Sequence, residues 1–261
     1  MTPVMQQYKK IKDKHEKDIL FFRMGDFYEM FYEDAKVASK VLGIALTSRD
    51  KGSDAVPMAG FPHHSAETYI RRLLQAGYNV AICEQVEDPK VATGIVDRAV
   101  TQIITPGTFT DDKFLNAKKN NYVTSLFVNE KTVGIATADI STGEFFVTET
   151  MLQQVASEVS RLFPAEVLFP ESLEQTHSRL VANVKSSIIT VWQPRPDWEF
   201  GKSAAYKTLT GYFHTTNLVG FGCEEMDSGI CAAGALLSYL LETQCSNLPY
   251  ISSIKPMLHE S

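Results

Sequence analysis

Residues 19–31 have the sequence ILFFRMGDFYEMF, in which a glycine–aspartate pair separates two apolar runs. The first run, Ile19 to Met24, predicts a short buried strand. Gly25-Asp26 is a turn signal, so a second strand can begin at Phe27. Residues two positions apart on a strand share a face, and the pattern therefore predicts Phe27 and Glu29 on one side of a sheet.

The Phe27–Glu29 pair has a specific chemical use. An exposed aromatic ring can wedge or stack against an unstacked base, while a neighbouring carboxylate hydrogen-bonds to the edge of that base. The same triplet also fits an ordinary strand in which one side chain is core and the other is surface. The triplet alone leaves both interpretations open.

The remainder of the first half alternates helix and strand signals. Helices are predicted over residues 3–14, over the stripe Phe31, Ala35, Ala38 and Leu42 with Gly43 at its end, and from Ser65 as N-cap to Gly77. Strands are predicted over 78–86 and about 95–104. These elements predict a mixed α/β fold.

Residues 56–62, VPMAGFP, are predicted to form a loop stiffened by two prolines. Pro57 and Met58 at its apolar tip suit the wall of a nucleic-acid groove. Arg49, just upstream, could reach a phosphate. A plain connecting loop and a solvated arginine fit the same residues.

The second half predicts a separate α/β domain. Strands at 122–128, 133–140 and 144–148 follow one another with short turns, which is typical of an antiparallel meander. A helix at 151–162, strands at 166–169 and 187–192, and a helix from Asp227 to Gln244 follow. Three meandering strands before alternating helices and strands indicate a ribonuclease-H-like layout.

Charge bears on the choice of partner. The chain carries a formal net charge of −6, which is the wrong sign for a protein that holds a polyanion on its own. Most of the acidic excess falls after residue 115, so nucleic-acid contacts are expected in the first half. Two local basic patches there fit either such contacts or solvated helix faces: Lys9, Lys10, Lys12, Lys14 and Lys17, and the pair Arg71-Arg72.

Other features indicate a cytoplasmic protein. No apolar run approaches the roughly 18 residues of a membrane helix, and the first residues lack the apolar core of a secretory signal. The four cysteines form no C-x-x-C pair and are expected to be reduced, buried thiols. They are Cys83, Cys223, Cys231 and Cys245.

No catalytic or metal site is predicted. The chain contains no GxxxxGK[ST], G-x-S-x-G or H-E-x-x-H string. A ribonuclease-H-type nuclease needs clustered carboxylates for two metal ions, and Asp139 is the only acidic residue within a predicted core strand that could serve. His63 and His64 are adjacent and do not share a face, so they are not expected to share a metal ion.

Several longer stretches resemble the MutS family of bacterial DNA mismatch repair proteins. Four are similar to its N-terminal mismatch-recognition domain: TPVMQQYKKIK (2–12), RMGDFYEMFYEDAKVASKVLGIALTSR (23–49), VPMAGFPHHSAETYIRRLLQAGYNVAICEQVEDP (56–89) and ITPGT (104–108). Two are similar to its connector domain: GIATADISTGEFFVTE (134–149) and GFGCEEMDSGICAAGALLSYLLETQ (220–244). The family usually has tyrosine where this chain has His63.

The resemblance implies roles for the residues singled out above. Phe27 is expected to stack on a mispaired base from the minor groove and Glu29 to hydrogen-bond to that base, with Arg49, Pro57 and Met58 near the DNA. It also implies a mixed-sheet α/β recognition domain, a linker, a ribonuclease-H-like α/β connector domain and a truncated start of a lever region. Their expected limits are 1–112, 113–121, 122–250 and 251–261.

The partners implied by the resemblance are mismatched double-stranded DNA, a MutL-type matchmaker protein and the sliding clamp. A second MutS-family subunit is implied through regions missing here. Full-length members use ATP and Mg²⁺, but no cofactor, enzymatic activity or membrane partner is expected of this chain. Its location is expected to be cytoplasmic and nucleoid-associated. The alternative is a truncated interaction fragment whose connector binds repair partners without independent DNA binding.

Overall fold

A computed structural model describes residues 1–49, 55–88, 90–110, 120–130 and 132–257. The chain divides into two compact α/β units, of which the first comprises Met1–Thr105 with Thr243–Cys245. The second comprises Pro106–Glu242 and the residues from Ser246 onward. The predicted linker, 113–121, lies almost entirely outside the described residues, and the predicted domain limits stay predictions.

The first unit is built on a mixed six-stranded sheet with the order β3-β4-β2-β1-β5-β6. Its described helices are α1 (Pro3–Lys12), α2 (Tyr32–Leu42) and α3 (Ala66–Gln75). Its strands are β1 (Ile19–Met24), β2 (Phe27–Phe31), β3 (Thr47–Ser48), β4 (Pro57–Pro62), β5 (Val80–Gln85) and β6 (Arg98–Ile104). β1 and β5 are parallel, and the other neighbouring pairs are antiparallel.

The predicted turn and the strands on either side of it are confirmed, and the two strands form a hairpin. β1 and β2 pair antiparallel with Met24 opposite Phe27, so Gly25 and Asp26 form a two-residue turn. Gly25 has a φ of +59°, in the left-handed region that favours glycine. The glycine–aspartate pair therefore sets the register that places Phe27 at the first position of β2.

Both faces of the sheet are packed with aromatic rings. On one face, Tyr8 of α1 lies edge-on to Phe22 and Phe31, with ring centroids 5.5 and 4.9 Å away. On the other face, Phe61 lies 5.0 Å from Phe21 and 4.5 Å from Tyr69 of α3. Because both faces are covered, the first four residues of β1 are all buried, which explains their unbroken apolar sequence.

One local prediction in this unit is wrong, and another, the N-cap at Ser65, is confirmed in position only. Residues 57–62 form strand β4, antiparallel to β2, and not a loop. Its prolines stand at the first and last positions, so the four residues between them retain their N–H groups. Ser65 precedes α3 but makes no side-chain capping bond, because it ends a 3₁₀ turn and its backbone is not extended.

The second unit contains another six-stranded sheet, with the order β11-β10-β7-β8-β9-β12. Its strands are β7 (Val123–Asn129), β8 (Thr132–Asp139), β9 (Glu144–Met151), β10 (Glu166–Pro170), β11 (Val191–Arg195) and β12 (Lys255–Pro256). Its described helices are α4 (Val155–Leu162), α5 (Leu173–Thr176), α6 (Ser178–Ser187), α7 (Lys202–Tyr212) and α8 (Asp227–Gln244).

The predicted ribonuclease-H-like layout is confirmed. β7, β8 and β9 form an antiparallel meander, and β10 and β11 lie beyond β7 and run parallel to it. The predicted strand at 187–192 begins later than expected, at Val191, because α6 extends to Ser187. Residues after 250 also join this unit, since Ile251 and Ile254 are buried in its core and β12 pairs with β9.

Small residues on α8 allow close packing, and one of them, Gly234, faces the helix α7. A Cβ atom at Gly234 would overlap Ala205 of α7. A Cβ atom at Gly134 of β8 would overlap the backbone of Ser228 at the start of α8. Glycine is therefore needed where α8 approaches α7 and where β8 approaches α8.

Cys83, Cys223 and Cys231 are buried thiols, as predicted, but Cys245 is exposed, because it follows the last residue of α8. All four are free of disulfide bonds. Within the described part of the chain, no helix is both long and apolar enough to cross a membrane.

Candidate nucleic-acid interface

Phe27 lies at the end of β2 that is not covered by α1. Along β2, Phe31 is fully buried under α1, Glu29 is half-buried, and Phe27 is 46% exposed. The alternate residues Tyr28 and Met30 are buried on the opposite face. The predicted arrangement is therefore present: an accessible ring and a carboxylate share one face of β2, two residues apart.

Glu29 occupies a partly apolar position opposite Phe22 on one side and Gly60 on the other. Burial raises the pKa of Glu29, and the positive charge of Arg49 opposes that rise. A carboxyl group in such a position is protonated more easily than one in water. When protonated it can donate as well as accept a hydrogen bond.

Arg49 lies over the same face of the sheet as Glu29. Its Nη1 atom is 3.9 Å from the sulfur atoms of Met5 and Met24, and its guanidinium carbon is 5.9 Å from the centroid of the Phe31 ring. The side chain therefore packs against thioethers and an aromatic ring beside the carboxylate. The predicted phosphate contact of Arg49 stays a prediction.

Pro57 and Met58 begin β4, where both are half-buried. Met58 lies opposite Phe31 and packs against the cluster that contains Met5, Phe22 and Phe31, so it is not an exposed loop tip. The carbonyl of Met58 accepts a hydrogen bond from the Thr47 hydroxyl at 3.1 Å. The structure thus brings Met58 to the face of the sheet that carries Glu29.

His63 was not predicted to have a role, yet it contacts the turn that precedes Phe27. Its backbone N–H donates to the carbonyl oxygen of Asp26 at 2.8 Å, and its Nδ1 atom lies 3.0 Å from the same oxygen. On the β1 side of the turn, Nε of Arg98, from β6, donates to the carbonyl oxygen of Arg23 at 2.7 Å. No local sequence signal indicates these contacts, because each depends on pairing between distant segments.

The basic residues divide into structural and exposed groups. Lys12 donates to the carbonyl oxygens of His15, Glu16 and Asp18 and pairs with Asp34 at 3.0 Å. Arg72 donates to the last carbonyl groups of α2, at Val41 and Leu42. The exposed lysines are Lys9, Lys10, Lys14 and Lys17. Lys12 and Arg72 are therefore structural.

Asp139, the carboxylate considered for a nuclease site, and Glu149 on β9 are both engaged in local structure. Asp139 accepts hydrogen bonds from the backbone N–H groups of Asn121 and Ser141, at 2.9 and 2.8 Å. Glu149 accepts from the backbone of Gly229 at 3.0 Å. Among the residues that the structure describes, no group of three or more metal-ligating side chains could hold a metal ion.

Comparison with protein families matches both units to one family. The model described as MutS domain I matches residues 2–113, and the model described as MutS domain II matches residues 121–252. Curated relatives include proteins named DNA mismatch repair protein MutS. That of Thermodesulfovibrio yellowstonii is 44% identical over 245 residues, covering 94% of this chain and 28% of the relative.

Two further relatives with the same name show similar identity. That of Halothermothrix orenii is 45% identical over 258 residues, and that of Salinibacter ruber is 44% identical over 260 residues. Each alignment covers 97% of this chain and 28% of the relative. The chain therefore spans little more than a quarter of the length of the curated relatives it matches.

Proposed function

The chain belongs to the MutS family of DNA mismatch repair proteins, and we propose on that basis that its first unit binds mispaired or looped-out bases in duplex DNA. The single observation that carries this proposal is the arrangement of Phe27 and Glu29. A 46% exposed ring at the start of β2 is followed, on the same face, by a half-buried carboxyl group.

Phe27 acts as the wedge in this proposal. A mispair stacks and pairs poorly, so opening the duplex at that step costs less free energy than opening it at a matched pair. Apolar side chains inserted from the minor groove kink DNA by roughly 20–90°. Stacking of one base on an aromatic ring contributes about 1–3 kcal/mol in single-strand binders, which is enough to favour the easily opened step.

Glu29 supplies the polar contact to the base. The minor groove presents acceptors at A N3 and T O2 and a donor at the guanine amino group. An ionised carboxylate accepts from the amino group but repels nearby phosphates. The burial that raises the pKa of Glu29 reduces this repulsion, because it favours the neutral acid. The neutral acid can also donate to A N3 or T O2.

We propose a binding module and not an enzyme for these residues. The ATP and Mg²⁺ implied for full-length members require a GxxxxGK[ST] loop, and the sequence contains no such string. The residues of this chain therefore do not fit that cofactor. The MutL-type matchmaker, the sliding clamp and a second MutS-family subunit are proposed as further partners.

The second candidate function is a protein-interaction role for the second unit without independent DNA binding. The observation that favours it is charge, since the chain is net −6 and most of the acidic excess falls after residue 115. Such a charge weakens association with a polyanion. The two candidates differ in whether this chain alone prefers a mismatch.

A fluorescence-anisotropy titration at low salt separates them. Wild type and Phe27→Ala are titrated against a duplex with a G·T pair or a single-base loop and against the matched duplex. Tighter binding to the defect by wild type, lost in Phe27→Ala, supports mismatch recognition. Equal binding of both duplexes by wild type would contradict it and favour the interaction role.

A further inference from the structure

The turn that precedes Phe27 is held on both sides by side chains, of which Arg23 belongs to β1, Arg98 to β6 and His63 to the segment after β4. On the β1 side, Arg98 Nε donates to the carbonyl oxygen of Arg23 at 2.7 Å, and Arg23 Nε donates in turn to the carbonyl oxygen of Gly25. On the β2 side, His63 contacts the carbonyl oxygen of Asp26. Each of these three carbonyl groups around the turn therefore accepts a hydrogen bond from a side chain.

His63 reaches the turn because of the pairing between β2 and β4. Pro62 lies opposite Phe27 at the end of β4, and the next residue, His63, leaves the strand to begin a 3₁₀ turn. Its backbone N–H and its ring Nδ1 meet the same Asp26 oxygen, at 2.8 and 3.0 Å. A carbonyl oxygen only accepts hydrogen bonds, so Nδ1 must carry a hydrogen in this contact.

Strand pairing holds Phe27 on both sides, opposite Met24 and Pro62, but among the described residues the turn itself has few further contacts. Gly25 has a left-handed backbone, and a Cβ atom there would meet nothing within 4 Å. Asp26 is exposed, and nearly half of the Phe27 ring surface is open to solvent. Hydrogen bonds to its carbonyl groups limit the backbone conformations that a glycine-containing turn can adopt. Conformational entropy that is lost only when the ligand binds reduces affinity.

We propose that His63 is a positioning residue for Phe27, whose Nδ1–H group fixes the Asp26 carbonyl and so orients the ring before DNA is bound. This inference rests on the proposed function, in which the Phe27 ring stacks on a base of the DNA. The backbone N–H of His63 holds the same oxygen whatever the side chain is. The side chain therefore contributes a second bond that limits rotation of the turn, and it does not create the hairpin.

The test uses three substitutions in the full 261-residue chain. His63→Leu removes the ring donor, and His63→Asn replaces it with an amide nitrogen at nearly the same distance from Cβ. His64→Leu, at the exposed neighbouring position, is the matched control. Each is titrated by anisotropy against mismatched and matched duplexes, with the melting temperature measured in parallel.

We expect His63→Leu to lower the mismatch preference about tenfold, and His63→Asn and His64→Leu to stay within about twofold of wild type. Melting temperatures should agree within a few degrees. An unchanged preference in His63→Leu overturns the proposal. A loss in His63→Asn equal to that in His63→Leu overturns it as well, because the donor would then not be the relevant group.

A measurement without DNA separates this inference from the proposed function. Backbone ¹⁵N relaxation of Gly25, Asp26 and Phe27 in the free protein should show greater motion in His63→Leu than in wild type and recovery in His63→Asn. If wild type shows no mismatch preference, the proposed function fails, and relaxation alone decides the role of His63. Equal relaxation in wild type and His63→Leu overturns the positioning role.

Discussion

Gly60 lies directly opposite Glu29 in the pairing of β2 with β4, and its missing side chain leaves room for the carboxylate. A Cβ atom at Gly60 would lie 3.2 Å from Glu29 Cγ and 3.0 Å from the carbonyl oxygen of Tyr28. The carbonyl is fixed within the strand, whereas the glutamate side chain can rotate. Any side chain at Gly60 therefore displaces Glu29 first.

Gly60→Ala should accordingly reduce mismatch preference while leaving the sheet intact. We expect a loss of about three- to tenfold, which corresponds to roughly 0.7–1.4 kcal/mol. Anisotropy titration against mismatched and matched duplexes measures the preference, and circular dichroism checks the fold. Glu29→Gln with Gly60→Ala is the control: once the carboxylate is gone, the added methyl should cost little more.

Phe27→Ala and Phe31→Ala should differ sharply in their effect on stability, although both residues lie on one face of β2. Phe31 is fully buried, so its truncation should cost about 3–5 kcal/mol. Phe27 is 46% exposed, so its truncation should cost below about 1.5 kcal/mol. Hydrogen exchange of first-unit peptides in urea measures both. Comparable losses would show that the Phe27 ring is a core element.

Glu29→Gln should stabilise the first unit at neutral pH. Burial raises the pKa of Glu29 in the folded state, so the folded protein binds this proton more tightly than the unfolded chain does. Ionisation of Glu29 lowers the free energy of unfolding. This loss is complete above the pKa of the folded state and disappears as the pH falls below the pKa in the unfolded chain, about 4.3. The gain in Glu29→Gln should therefore shrink toward pH 4.

Urea unfolding of wild type and Glu29→Gln, followed by hydrogen exchange of first-unit peptides between pH 4 and 8, measures this difference. Arg49→Met provides the counterpart, since the Arg49 charge opposes the effect of burial. Its removal should raise the pKa of Glu29 further, which ¹³C NMR of the carboxyl group detects. If the stability gained in Glu29→Gln grew as the pH fell, the pKa of Glu29 could not be raised in the folded state.

Lys12→Met should destabilise the first unit by about 1–3 kcal/mol. Lys12 is the cationic partner of the buried Asp34, and Oδ2 of Asp34 also accepts from the backbone N–H of Leu20 at 3.0 Å. Without Lys12, burial leaves that carboxylate poorly compensated. Lys14→Met, at an exposed position two residues on, should change stability by less than about 0.5 kcal/mol. Equal effects would remove the structural role of Lys12.

Two glycine-to-alanine changes should act in opposite directions on the second unit. At Gly234 a methyl group would overlap Ala205, and overpacking of this kind costs about 1–3 kcal/mol. At Gly211, in α7, a methyl group meets nothing within 4 Å, so Gly211→Ala should stabilise by about 0.5–1 kcal/mol. Both tryptophans, Trp192 and Trp198, lie in this unit, so their fluorescence in urea follows its unfolding.

The parts of the fold that were predicted correctly are those with a clean local pattern. The hairpin at Gly25-Asp26 and the helix that ends at Gly43 combine regular apolar spacing with a turn or cap residue, and both are present. The meander of β7, β8 and β9 is present for the same reason. Such signals act within a few residues, so a single sequence reveals them.

The errors occur where distant pairing overrides the local signal. Residues 57–62 contain two prolines and two small residues, which predict a loop, but pairing with β2 makes them a strand. The contact of His63 with Asp26 follows from that pairing and joins residues 37 positions apart. The shared face of Phe27 and Glu29 was predicted from strand alternation, whereas the residues that hold the pair in place were not.

The position of β2 within its sheet has a mechanical consequence. β2 is bonded to β4 on one side and to β1 on the other, in the third place of six strands. A force on the Phe27 side chain along the strand is opposed by the backbone hydrogen bonds of β2 to β1 and of β2 to β4. These bonds must break together before β2 can slide. The mounting is therefore stiff. In the proposed recognition of a mispair, the DNA would then be the compliant partner, and most of the bending work would be done on the nucleic acid.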